Sequence, residues 1–305
     1  MIGFKSSRKK LNQIGIDFLS TGVAVVHVSA TNKQAGQILL NDFLPADGWE
    51  EQAQVLKQWV HHHNLQKTAC VGLLSNEDCQ VFQIEKPKVP EAELISAVSW
   101  KIKDLIGYNI NQAVIDIYPM PDSTKNNTHH VNVVSANQSI VEQYVDTIKK
   151  SGLSLVALDI NELVIKNLLT VLKLEQQSIA LLSLRQHAGL INVYYESELY
   201  VSRDFKTGLD QIKTQENQQL DIDDSMLIEI QRSFDYFESY FGLGAVRKLM
   251  IYPAIEATEK MATSWQRFTS FELDFIDVNQ LLAESSNGSF DVSCFSAYCA
   301  GLRGI

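Results

Sequence analysis

One order of elements is written twice along this chain, and that repetition limits the fold more than any single motif does. Alternating apolar residues mark strands over Ile14–Phe18, Val23–Val28 and Gln37–Phe43. Glu51–His62 follows as a helix with Val55, Leu56, Trp59 and Val60 on one face, and Thr68–Leu74 reads as a short buried strand. The order β-β-β-α-β then recurs. Ser178–Leu184, Leu190–Tyr195 and Leu199–Phe205 read as strands. A helix over Ser225–Phe241 spaces Leu227, Ile230, Phe234, Phe237 and Phe241 for one face, and Lys248–Tyr252 is the next strand. A further helix, a strand near Phe271–Phe275 and a final helix over Val292–Leu302 complete the second half. Ser183 takes there the place that Asp17 takes in the first half. This pattern predicts an α/β fold of two matching halves.

The halves are separated by an insertion. In "KVPEAELISAVSWKIKDLI", Pro90 stands at a helix start, Glu91 and Glu93 suit the positive end of the helix dipole, and Leu94, Val98, Ile102 and Leu105 line one face. Strands near Gln112–Tyr118 and His130–Ser135 flank a polar, turn-rich linker that reads as a surface loop. A helix over Ser139–Lys150 stops at Gly152, and Leu153–Leu158 is a strand. The expected division is a basic tail over 1–10, a first half over 11–85 and 159–177, an α+β subdomain over 86–158, and a second half over 178–305.

Composition removes several functions. With 305 residues, 45% of them hydrophobic, the chain can bury real cores. A formal net charge of -10 argues against nucleic acid as a partner. No long uncharged apolar run suggests a spanning helix, and no apolar core follows the basic N-terminus as in a secretory signal, so a cytoplasmic protein is expected. Cys70, Cys79, Cys294 and Cys299 lack metal spacing. His61-His62-His63 point in different directions around a helix end, which their partial positive charge suits, and so do not converge on one metal. His129-His130 follows a loop, and His187 has no nucleophile paired with it in sequence. Asp17 at a strand end, with Asp116 and Asp159, also fits a two-metal nuclease, against which the acidic surface argues.

The segments "GIDFLSTGVAVVHV", "VSANQSIVEQYVDTIKKSGLSLVALDI", "IEIQRSFDYFES" and "FSAYCAGLRGI" resemble segments of PilM-type type IV pilus assembly proteins of the actin-like ATPase superfamily. Within that family they are most similar to the branch serving mannose-sensitive haemagglutinin (MSHA) pili. The resemblance implies an actin-like, RNase H-like duplicated core with a small α+β insertion, and ATP held by three loops. In the first loop Asp17 and Ser20, followed by Thr21, match the family pattern, but Leu19 replaces a glycine and Ala24 a lysine, removing space and countercharge for phosphate. In the second, "SLRQHAGL" has Ser183 for the acid and Arg185 for the glycine. In the third, "KLMIYPAIEA" lacks glycine and carries Pro253, which removes an amide donor. Asp17, Ser20, Thr21 and Arg185 are therefore the candidate residues of a degenerate nucleotide site, with neither metal nor catalytic residue assigned. The cytoplasmic GspL domains of type II secretion are similar in lacking evident nucleotide chemistry.

The resemblance further implies a non-catalytic scaffold. Its expected partner is the cytoplasmic tail of a PilN-like (MshJ-type) bitopic inner-membrane protein, held in a groove between the first half and the insertion, with contact relayed to the assembly ATPase. The alternative is an ATP-binding or ATP-hydrolysing member of the same machinery, using ATP and Mg²⁺. In the N-terminal tail, Lys5, Arg8, Lys9 and Lys10, with Ile2 and Phe4, suit weak attraction to anionic lipid and so peripheral association with the inner membrane.

Overall fold

The computed structural model describes residues 12–29, 36–122, 129–174, 178–214, 220–283 and 289–304, without the side chains of 214 and 220–224. The basic tail over 1–10 and most of the linker in the insertion lie outside the described residues. Contacts divide the chain into two units, one of Met1–Met120, His129–Val171 and Leu281–Ile305, the other of Pro121–Thr128 and Leu172–Gln280.

The first unit begins with β1 (Gln13–Leu19), β2 (Gly22–Val28), β3 (Ile38–Pro45), α1 (Gly48–His62) and β4 (Ala69–Leu73). Then come β5 (Cys79–Glu85), α2 (Glu91–Ile102), β6 (Ala113–Pro119), β7 (His130–Asn137), α3 (Gln138–Ser151), β8 (Ser154–Asp159), α4 (Asn161–Val164) and α5 (Lys166–Leu172). A five-stranded sheet runs β3-β2-β1-β4-β8, with β1 antiparallel to β2 and parallel to β4. Successive side chains of β1 alternate between its faces. Ile14, Ile16 and Phe18 pack with Leu56, Trp59, Tyr144 and Ile148 of α1 and α3, and Gly15 turns to the other face. The α3 helix is bounded as its sequence suggests. The Asn137 side chain accepts the Ser139 amide at its start, and Gly152, at φ 92°, returns its amide to Lys149 at the end.

The second unit repeats the plan with β9 (Ile179–Leu184), β10 (Gly189–Tyr195), β11 (Glu198–Phe205), α6 (Leu209–Thr214), α7 (Leu220–Phe241), β12 (Lys248–Tyr252), α8 (Glu256–Trp265) and β13 (Glu272–Phe275). Its five-stranded sheet runs β11-β10-β9-β12-β13, the same order and polarity as the first. The equivalence extends to single residues. Asp17 pairs with Ala24 and ends the parallel register at Leu73; Ser183 pairs with Leu190 and ends its register at Tyr252. On the apolar face of α7, Leu227, Ile230, Phe234, Phe237 and Phe241 are buried, and Phe241 and Trp265, either surface or core on sequence alone, are core at 0% and 1% exposure.

Three boundaries differ from the sequence expectation. The insertion is not 86–158. It begins earlier, at β5, and forms a three-stranded antiparallel sheet β5-β7-β6 with α2 against one face. The α3 helix and β8 belong to the first half, because β8 pairs in parallel with β4 from Ala69–Ser154 to Leu73–Asp159 and α3 supplies Tyr144 and Ile148 to the larger core. Nor does the second half run from 178 to 305. The last helix, α9 (Phe295–Gly301), packs on β1, β2 and β4 of the first unit. Small residues allow this approach, since a β-carbon on Gly15 would stand 1.7 Å from the Ala297 carbonyl oxygen. The Tyr298 hydroxyl donates to Gly36 O at 2.7 Å, and Gln13 Nε2 donates to Arg303 O at 3.1 Å.

Candidate functional site

The first unit contains a groove whose two walls are edge strands. β6 ends the small sheet and β8 ends the large one, and both meet α3. Residues Val114–Tyr118 of β6, Val134 and Ala136 of β7, Val141, Val145 and Lys149 of α3, and Leu155–Asp159 of β8 surround a cavity of about 270 Å³. Leu74, Ile160 and Leu163 complete the lining.

Strand alternation explains the geometry. Ala113, Ile115 and Ile117 support the core under α2, while Tyr118, Val134 and Ala136 turn toward the first-half core. On α3, Tyr144, Thr147, Ile148 and Ser151 are buried, and Val141 and Val145 are half-buried in the groove wall. Polar groups are few. Asp116 Oδ1 accepts the Ile117 amide at 2.8 Å. Asp159 Oδ1 accepts the Ile160 amide at 3.0 Å, and its other oxygen is held by the Arg303 guanidinium, whose pKa burial lowers. Burial first, then the charges of Glu162 and Cys79, raise the pKa of the Tyr118 hydroxyl.

A cavity of about 270 Å³ falls just below the usual range for small-molecule pockets, roughly 300–1,000 Å³. Its lining offers apolar seats and strand edges, without a nucleophile paired to a base. That chemistry suits an extended polypeptide, which takes backbone hydrogen bonds from an edge strand and seats alternate side chains in pockets. Among the described residues no group of three His, Cys, Asp or Glu side chains is placed to hold a metal. Asp116 and Asp159 lie on different sheets, and Asp17 lies in β1.

The three loops of the nucleotide expectation are each tied into their own unit. Leu19 pairs with Gly22, leaving Ser20 and Thr21 as the exposed turn between β1 and β2. The Leu19 carbonyl accepts from Gln52 Nε2 at 2.8 Å and the Thr21 carbonyl from the Ala46 amide at 3.2 Å. Asp17 is 2% exposed and Ala24 is wholly buried, so no countercharge enters from that position. Between β9 and β10, the Arg185 amide donates to Ala188 O at 2.7 Å, while the carbonyls of Arg185 and Gln186 accept the amides of Leu209 and Asp210. His187 Nδ1 stands 3.2 Å from an Asp210 oxygen. After β12, Pro253 O accepts from the Thr258 hydroxyl at 2.6 Å, and that hydroxyl accepts the Ile255 amide at 3.1 Å. A phosphate loop needs amides pointing outward; the amide of Arg185 and those at the start of α6 instead serve the unit's own carbonyls. His61, His62 and His63 close α1 by local contacts, with Gln66 Nε2 at 3.1 Å from His61 Nδ1 and the rings of His62 and His63 meeting edge to face.

The resemblance, rather than the residues, implied a groove between the first half and the insertion, and the sequence did not rank residues for it; the cavity described above lies between the sheets of those two parts. The available signal was apolar residues on both faces of Val114–Tyr118 and Leu155–Leu158, unusual for edge strands that meet only water on one side.

In fold, the chain is similar to the PilM–PilN type IV pilus biogenesis complex, with a TM-score of 0.72 at 15% identity over 96% of this chain and 99% of that one. It is also similar to the cytoplasmic domain of EpsL, an inner-membrane component of the type II secretion system of Vibrio cholerae, with a TM-score of 0.53 at 13% identity over 95% and 94% of the two chains. A Bacteroides thetaiotaomicron protein with an actin-like ATPase fold gives a TM-score of 0.51 at 10% identity over 95% of this chain and 96% of that one. No protein-family model and no curated protein matches the sequence. The fold is actin-like, with a duplicated β-β-β-α-β core and a small α+β insertion in its first half. No helix among the described residues is long and apolar enough to cross a membrane.

Proposed function

We propose that this chain is a non-catalytic, actin-like scaffold of type IV pilus biogenesis. The proposed system is of the MSHA type and the role that of an MshI-like protein. The groove between β6 and β8 would hold the cytoplasmic tail of a PilN-like (MshJ-type) bitopic inner-membrane protein. The observation that carries this reading is the groove itself: a mainly apolar cavity with a strand edge on either wall and, among its lining residues, no nucleophile paired to a base. The likeness in fold to a PilM–PilN complex supports the choice of partner. The scaffold would sit on the cytoplasmic face of the inner membrane, reinforced by the basic tail, and relay tail binding to the assembly ATPase.

A bound tail gains from a few apolar side chains, each contributing about 1.5–3 kcal/mol on full burial, and loses part of this to its own ordering. Micromolar affinity is the expected outcome. The test is titration of a synthetic tail peptide of the partner against the purified chain. Val145→Glu, which places a carboxylate in the groove wall from a half-buried helical position, should weaken binding at least about tenfold, a loss of roughly 1.4 kcal/mol. A correctly folded chain that ignores the peptide, or a Val145→Glu variant that binds it unchanged, overturns the reading. The alternative, ATP binding, rests on Asp17 keeping its place at the end of β1 beside the Ser20-Thr21 turn. The internally bonded second loop weighs against it.

A further inference from the structure

The second unit carries an aromatic shelf that the proposed tail groove does not use. The register of β10 with β11 shifts between Val193 and Tyr194, so that Val193 faces Val201, Tyr194 faces Leu199, and Tyr200 is the extra residue. The bulge presses Tyr200 edge-on against Phe237 and Phe241 of α7, at 5.4 and 4.8 Å between ring centroids. Tyr236 and Tyr240 stack beside them at 5.1 Å, and Tyr195 adjoins Tyr200 at 6.1 Å. Tyr195, Tyr200, Tyr236 and Tyr240 are all half-buried, so the shelf is open to solvent along the edge of β11, the outermost strand of its sheet.

The surrounding charge selects the occupant. Glu196, Glu198 and Asp204 are exposed along the turn and the strand. Glu196 follows Tyr195 in the turn and Glu198 is its cross-strand partner, which puts both residues beside the shelf; burial, and then the charges of Glu196, Tyr195 and Glu198, raise the pKa of the Tyr200 hydroxyl. The shelf already holds one cation, since the Arg203 guanidinium lies 5.7 Å from the Tyr236 ring centroid.

We infer that this shelf is a second docking surface, which takes an extended, lysine- or arginine-bearing segment of another protein. The segment adds along β11, lays its cationic side chains on the tyrosine faces and pairs them with Glu196 and Glu198. Aromatic faces, complementary charge and an edge strand together define that partner chemistry.

The test uses a fluorescent peptide of alternating valine and arginine at physiological salt, read by anisotropy. The double variant Glu196→Gln/Glu198→Gln, confined to exposed positions, should weaken binding about tenfold, and Tyr240→Ser several-fold. Glu91→Gln/Glu93→Gln removes the same charge on α2 and should leave binding within about twofold. The inference is overturned if the peptide does not bind. It is also overturned if the α2 variant weakens binding equally, which would show attraction to net charge alone. Loss of binding in Val145→Glu, with none in the Glu196/Glu198 variant, would assign the peptide to the tail groove instead.

Discussion

Substituting Gly15 by alanine tests the seat of the last helix. An added β-carbon would stand 1.7 Å from Ala297 O and 2.6 Å from the Gly301 amide nitrogen. Non-bonded heavy atoms settle at about 3.5 Å or more, so α9 would have to withdraw from β1 by about 2 Å. That displacement strips contacts from Phe295, Tyr298, Cys299 and Leu302, none more than 3% exposed. It also pulls the Tyr298 hydroxyl from Gly36 O, now 2.7 Å away. Over-packing of this kind costs about 1–3 kcal/mol, and a lost buried hydrogen bond about 1 kcal/mol more. The expected destabilisation is therefore about 3 kcal/mol, measured as a shift of the urea midpoint. Gly48→Ala supplies the reference. No atom lies within 4 Å of its β-carbon position, and its φ of +70° leaves only backbone strain, about 1 kcal/mol. If Gly15→Ala proves no more harmful than Gly48→Ala, α9 does not rest on β1 and the assignment of the C-terminus to the first unit is wrong.

Three other outcomes follow from local chemistry. Glu196 and Ser197 occupy a two-residue turn at φ of 49° and 62°, so Ser197→Gly should stabilise the chain by about 0.5–1 kcal/mol in urea, and a loss would contradict the turn geometry. Burial, and then neighbouring His63, hold the imidazole of His27 below its ordinary value of 6.5. The unfolded chain therefore takes up a proton before the folded one does. The stability this contributes is present above about pH 6.5 and is lost as the pH falls through the folded pKa. The urea midpoint should drop from pH 7 to pH 5, and His27→Leu should flatten that slope; an unchanged slope would remove His27 as the cause. Millimolar MgATP should leave the melting temperature where it is, whereas a ligand at a thousand times its Kd would add about 4 kcal/mol, so a clear rise would restore the ATP reading.

Much of the fold was legible because both halves bury their sheets under amphipathic helices. Leu227, Ile230, Phe234, Phe237 and Phe241 announce α7 by spacing alone, and each is buried. What was not legible depends on contacts far apart in sequence. Ser154–Asp159 reads as a strand wherever it pairs, and only the fold shows that its neighbour is β4 rather than the sheet of the insertion. The strand Cys79–Glu85 escaped because it is an edge: Phe82 and Ile84 face the core under α2, while Gln80, Val81 and Gln83 are exposed, which blurs the alternation. The small residues of "FSAYCAGLRG" carried information that became readable only when Ala297 and Gly301 were found against Gly15. At the candidate site, the missing glycines and lysine of the nucleotide loops were visible in sequence. The groove residues were not, because they come from β6, β7, α3 and β8 and converge only in the folded unit.

Hydrogen–deuterium exchange on the full chain, with and without the partner's tail peptide, tests the central claim most directly. The account predicts slower exchange in Ala113–Pro119 and Ser154–Asp159, the two strands whose edges line the groove, together with Gln138–Ser151. Exchange in β9 and β12 should be unchanged. Protection confined to the second unit, or none at a saturating peptide concentration, would contradict the account.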